Sequence, residues 1–152
     1  MSAGLKLQVR RSGRRFDALA VLELAADART VWDTITDYVA LPRFMPGIRE
    51  CRVLERHVLP AQGERLLVEQ RGEFRFLVFA QSMKVRLNIE HHAQRVAVAT
   101  ALSFELGVLK HRAIDQFEGR YDIECVASKR VVPRVRLHYT ATIGLALPPP
   151  PG

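Results

Sequence analysis

Cysteine is scarce in this chain of 152 residues: Cys51 and Cys125 are the only two. They form neither a CxxC motif nor the framework of a disulfide-stapled fold, and a reducing, cytoplasmic setting is the expectation. Long apolar runs are missing too. Nothing approaches the roughly 18 residues that a membrane-spanning helix needs. The opening stretch, MSAGLKLQVRRSGRR, has no apolar core and no cleavage site, so no signal peptide is expected. Aromatic residues make up 7% of the chain, and no interleaved surface aromatics are expected. Base stacking therefore lacks its platform, and sequence-specific nucleic-acid recognition is not expected.

Motifs for chemistry are equally thin. The five histidines (His57, His91, His92, His111 and His138) show no HxH or HExxH spacing. His91 and His92 are adjacent, so on a strand they point to opposite faces, and no metal site is expected. There is no GxSxG elbow and no glycine-rich phosphate loop. Asp33 and Asp37 stand at helical i, i+4 spacing and read as the solvated face of a helix. No catalytic residue and no cofactor is assigned, and enzymatic activity stays open.

Acidic residues are absent from both ends of the chain. Before Phe16 stand Lys6, Arg10, Arg11, Arg14 and Arg15; after Glu124 stand Lys129, Arg130, Arg134 and Arg136; all sixteen acids lie between. Charge segregated in this way can form a patch attractive to phosphate or anionic lipid, whereas scattered charge would serve solubility alone.

What is present is an ordinary globular composition, 48% apolar and 26% charged. It is sized for a single domain over 1–152, with a basic N-terminal hairpin extension at 1–15 and a proline-rich end at 147–152. Leu5, Leu7 and Val9 alternate with polar residues, RSGRR supplies a turn, and 16–26 reads as a strand. Asp27 is an N-cap for a helix over Ala28–Tyr38, with Val31, Trp32, Ile35 and Tyr38 on one face. In ALPRFMPG two prolines four apart permit only a short helical turn. From Ile48 the period becomes two. Strands are expected over 48–58, over 64–91 with a reversal somewhere in 72–78, and over 94–102, 113–125 and 134–146. Such alternation implies an antiparallel sheet with one wet and one buried face. The short helix is too small to cover that face.

The segment Val31–Arg56, VWDTITDYVALPRFMPGIRECRVLER, resembles the polyketide cyclase/dehydrase family of the START-like helix-grip superfamily, which also holds coenzyme Q-binding proteins and ribosome-association toxins. VEQRG at 68–72 and FEGRY at 117–121 extend the likeness, in order and spacing, over about residues 16–146. The resemblance implies an α+β fold: a curved seven-stranded antiparallel sheet, two short helices after strand one, and a long C-terminal helix closing an apolar cavity. That helix is absent from these 152 residues, which end in LALPPPPG. The expectation is a chain that continues past Gly152, or a dimer that covers the face instead. LKHRAIDQF is a second departure from the family pattern.

The resemblance also implies a ligand. Phe44 and Met45 are expected at the cavity mouth, and Met83, Val85, Leu87, Phe117, Tyr121, Leu137 and Tyr139 in its wall. Because the end strands of this fold are neighbours, Arg10, Arg11, Arg14, Arg15, Arg134 and Arg136 are expected to form one continuous basic patch. The reading is a carrier or chaperone for a hydrophobic small molecule, an isoprenoid quinone or lipid, with peripheral attachment to an anionic membrane on its inner face. A ribosome-associated interaction protein and a polyketide aromatase/cyclase are the alternatives.

Overall fold

The computed structural model describes residues 4–76, 79–107, 114–126 and 132–146. Eight strands form one antiparallel sheet: β1 (Leu5–Ser12), β2 (Arg15–Leu24), β3 (Ile48–Leu59), β4 (Gly63–Phe76), β5 (Phe79–His92), β6 (Val96–Leu106), β7 (Ile114–Val126) and β8 (Arg134–Leu145). Their order is β1-β2-β8-β7-β6-β5-β4-β3. The expected fold class stands, with one strand more than expected. β1 is the addition: the expected hairpin forms, and β1 pairs with β2 along its full length, from Leu5↔Leu22 to Ser12↔Arg15. Gly13 closes that hairpin at φ +62, where a side chain would be strained.

Two short helices connect β2 to β3. Helix α1 (Ala28–Ile35) starts where expected, because the Asp27 carboxylate accepts a hydrogen bond from Thr30 N at 2.7 Å. It ends sooner than Tyr38. The backbone N–H and the hydroxyl of Thr36 both donate to the Trp32 carbonyl, at 3.0 and 2.7 Å, and this caps the last turn. A 3₁₀ helix, η1 (Tyr38–Arg43), follows with Pro42 inside it. The break turns Tyr38 onto the sheet. Asp33 pairs with Arg29 on the exposed side of α1, as its spacing suggested.

Both helices lie on the sheet's inner face, and each sits over its own core. Under α1, Val31 and Trp32 pack with Ala97, Ile123 and Val135. Beneath η1, Tyr38 joins Cys51, Leu66, Val68, Val85, Leu87 and Ile89. Removing each such side chain from water stabilises the fold by roughly 1.5–3 kcal/mol. Irregular registers in β3, at Arg86/Leu87 and at Ile114/Gln116 mark where the sheet can bend. The β6–β7 ladder is short, running only from Val96↔Asp122 to Thr100↔Glu118. Residues 77–78, where the reversal expected in 72–78 falls, and 147–152 lie outside the described residues. So do 108–113, which hold most of LKHRAIDQF.

Candidate ligand cavity on the inner face

The two helices and the sheet leave a cavity of about 160 Å³ between them. Ile35, Tyr38, Leu41 and Met45 approach from the helical side. Leu87, Ile89, Ala97 and Ala99 form the floor, while Phe117, Gly119, Tyr121 and Tyr139 form the far wall. The lining is mainly apolar, interrupted by three phenols and Gln70. Tyr121 and Tyr139 are directly paired across β7 and β8, and their ring centroids stand 4.6 Å apart. Burial raises both phenols, that of Tyr139 to about 12. Gly119 makes their arrangement feasible: a Cβ there would meet the Tyr139 hydroxyl at 3.2 Å. The glycine of FEGRY is thus a space requirement.

The mouth is built by the two prolines and by Gly72. Met45 N donates to the Leu41 carbonyl, and the Gly47 carbonyl accepts from Glu73 N at 2.7 Å, so the loop is laced to β4. A Cβ on Gly72 would overlap the Gly47 carbonyl oxygen, which accounts for the glycine of VEQRG. Met45 reaches the cavity. Phe44 does not; it is 70% exposed.

Of the nine expected lining residues, Met45, Leu87, Phe117, Tyr121 and Tyr139 surround the cavity. Met83, Val85 and Leu137 do not: Val85 and Met83 are consumed by the packing under η1, and Leu137 by the packing under α1. Alternation assigned their face correctly but not their place along the sheet.

The expectation of a continuous basic patch fails on strand direction. β2 and β8 do pair, but antiparallel, with Arg15 opposite Gly144 and Arg136 opposite Glu23. Eight residues of β2 separate the two groups, roughly 26 Å of strand. Arg10, Arg11, Arg14 and Arg15 therefore sit at the end of the sheet where β3 begins, and Arg134 and Arg136 sit at the other. The second pair is also neutralised. Glu23 lies between Arg134 and Arg136, at 3.8 and 2.8 Å, and Glu124 adds a contact to Arg136 at 2.7 Å. A depression of about 400 Å³ on the outer face has charged walls that pair with one another, Arg120 with Asp122 and His138 with Glu124.

One polar chain beside the cavity was not anticipated. The Tyr38 hydroxyl lies 2.8 Å from Nε2 of His91. On the other side of that ring, Nδ1 lies 3.3 Å from Oε1 of Glu64, whose Oε2 is held at 2.6 Å by Arg56. His91 is 3% exposed, with Trp32 set edge-on at 4.9 Å. Desolvation lowers its pKa, against the pull of Glu64. Arg56 holds the Glu64 carboxyl below its ordinary value. Desolvation, and after it the influence of Tyr121, push the Tyr38 phenol well up. The sequence offers one signal for this chain: His91 continues the inward series of Leu87 and Ile89. Among the described residues no cluster of three metal-ligating side chains exists. Cys51 is buried, its thiol pushed up to about 11 by desolvation, and Cys125 is exposed; they form no disulfide.

Residues 24–139 match the family described as polyketide cyclase / dehydrase and lipid transport. The chain belongs to that family. No curated protein matches it. Among solved structures, this polyketide cyclase/dehydrase family member is similar to a START superfamily protein from Mycobacterium smegmatis, with 18% identity, 90% of this chain and 81% of the other covered, and a TM-score of 0.67. It is also similar to the Zhui aromatase/cyclase from Streptomyces sp. R1128, with 14% identity, coverage of 91% and 71%, and a TM-score of 0.59. A third is truncated norcoclaurine synthase from Thalictrum flavum, with 12% identity, coverage of 90% and 79%, and a TM-score of 0.51. At these identities the likeness is one of fold.

Proposed function

We propose that this family member binds a hydrophobic small molecule on the inner face of its sheet and acts as a carrier or chaperone, with an isoprenoid quinone or another lipid as the ligand class. The observation that carries the reading is the apolar cavity between η1 and β7–β8, a space kept open by Gly119. About 160 Å³ is below the several hundred Å³ usual for a whole drug-sized ligand. It accommodates a ring or head group. A tail would continue over the same face of β8, β2 and β1, where Leu5, Leu7 and Val9 remain 63% exposed. A ligand that is part ring and part chain suits both regions.

The sheet's polarity supports delivery from a membrane. Because neighbouring strands are all antiparallel, the β1–β2 tip with its four arginines and the Phe44–Met45 loop before β3 fall at the same end of the sheet. Arg15 pairs with Asp17 at 3.2 Å, and the exposed apolar side chains together with the positive charge of Arg10, Arg11 and Arg14 at one end favour weak docking on anionic lipid. The ribosome-associated alternative drew on a continuous basic patch, and the separation of its two halves removes that support.

Native mass spectrometry of the protein purified from its own host tests the proposal. The expected result is an added mass that extracts into organic solvent. Recovery of the bare chain alone, together with no displacement of an apolar dye by any quinone or lipid, overturns it.

A further inference from the structure

We infer that Tyr38, set by His91 and Glu64, forms a hydrogen-bond-accepting subsite for a hydroxyl group, so that the ligand is an apolar molecule carrying a phenolic or enolic OH. This inference rests on the reading that the cavity takes an apolar molecule, and it specifies the polar part of that molecule.

The argument runs outward from Arg56. Its guanidinium, 2.6 Å from Oε2 of Glu64, keeps that carboxylate ionised. An ionised carboxylate accepts hydrogen bonds and donates none. The Nδ1 atom of His91, 3.3 Å away, must therefore carry the ring proton. His91 is buried and its pKa is lowered, so the ring holds one proton and not two. Nε2 is then bare, and the Tyr38 hydroxyl at 2.8 Å donates to it. Tyr38 has one proton, and it is committed. Tyr38 lines the cavity, and to a ligand group that reaches its oxygen it offers only lone pairs.

The consequence is a polarity of recognition. A phenol alone would serve a ligand carbonyl and a ligand hydroxyl equally well, because its proton rotates to suit. With that proton drawn to His91, a carbonyl or an ether meets a second acceptor and is disfavoured. A hydroxyl meets a partner. Among quinone-like molecules this selects the reduced, dihydroxy form over the oxidised, dicarbonyl form.

A matched pair of probes tests the subsite on the full chain: 2-naphthol, and 2-methoxynaphthalene, which differs by the lost donor. Affinities are read by displacement of an apolar fluorescent dye. Wild-type protein is expected to hold the naphthol about five- to tenfold more tightly, the worth of one hydrogen bond in a dry site. Tyr38→Phe should abolish that ratio while leaving the ether's affinity unchanged, which a merely structural role for Tyr38 would not do. Should Tyr38→Phe not fold, Glu64→Gln at the exposed end of the chain serves, since an amide no longer dictates which nitrogen is protonated. It should shrink the ratio to near one. Equal binding of both probes to wild type overturns the subsite and leaves the carrier reading intact. A ratio that survives the substitutions also overturns it. Binding of neither probe overturns both.

Discussion

The two halves of this sheet have the same alternation and opposite fates. In β3–β6, the inward residues under η1 are buried: Leu66 and Val68 are 0% exposed and Ile89 is 2%. In β1, the inward Leu5, Leu7 and Val9 are 63% exposed, although they pair in perfect register with Leu22, Ala20 and Ala18 of β2. The strand pattern is equally good in both. The difference is a lid. Tyr38 and Leu41 of η1 press on the first half, whereas no described element lies over β1 and the adjoining part of β2. Alternation thus states which face is apolar, and a second layer decides whether that face becomes a core. The cavity lies at the seam between the two halves, where coverage runs out.

The sharpest way to break the comparison is to weaken the covered half. Leu66→Ala leaves a hole among Val68, Leu87 and Tyr38, with little freedom to collapse. It should lower the unfolding free energy by roughly 2–5 kcal/mol in urea titration. A loss near zero would mean that the covered half is no better packed than the open one. Gly72→Ala comes next. Its new methyl collides with the Gly47 carbonyl and must push the mouth loop off β4, at a cost of about 1–3 kcal/mol. Unlike Leu66→Ala, it should also weaken ligand binding, because Met45 moves with the loop.

The strands and the capped start of α1 were legible in the sequence because each rests on local rules: period two, a turn residue, a side-chain cap. The strand ends were less so, since β6 runs to Leu106, four residues past its expected end, and β1 to Ser12. The site was half legible. Leu87, Phe117, Tyr121 and Tyr139 follow from their face, but nothing local distinguishes them from Val85 or Leu137, which the helices cover. The basic patch misled because adjacency of β2 and β8 says nothing about register until direction is considered: antiparallel pairing sends Arg15 and Arg136 to opposite ends. The Tyr38–His91–Glu64 chain stayed hidden because it joins residues 53 and 27 positions apart through the break between α1 and η1. An unbroken helix over Ala28–Tyr38, as periodicity suggests, has no reason to bring Tyr38 there.

Acid should act on the covered half first. Burial holds the pKa of His91 below its ordinary 6.5, so the unfolded chain binds the proton that the folded chain refuses. Stability is therefore lost as pH falls through that ordinary value. Glu64, also lowered, adds a loss in the same direction at more acidic pH. Tyr38, Glu64 and Trp32 face His91, Arg56 and His92 act on it through their charge, and the acidic partner moderates the effect without reversing it. Thermal unfolding followed from pH 7.5 to pH 5 should show a falling midpoint for the wild type. The slope should be shallower in His91→Gln, even though that variant starts from a lower midpoint. Parallel slopes would remove His91 as the source of the acid sensitivity.

The smallest effect belongs to the open half, and its smallness is what the comparison stakes. Leu5, Leu7 and Val9 have little to lose, because most of their surface is already in water. Serine at each position should change the unfolding free energy by no more than about 0.5 kcal/mol per site. The β1–β2 ladder is carried by backbone hydrogen bonds that serine retains. What should change is apolar-dye binding, which drops if this face is the one that dyes and ligand tails occupy. The measurement is best made at two protein concentrations tenfold apart. If the triple variant loses several kcal/mol, and the loss grows with concentration, then a second copy of the chain covers this face in solution. Burial against a partner would then make these three residues a core like the other half, and the contrast between the halves would belong to the monomer alone.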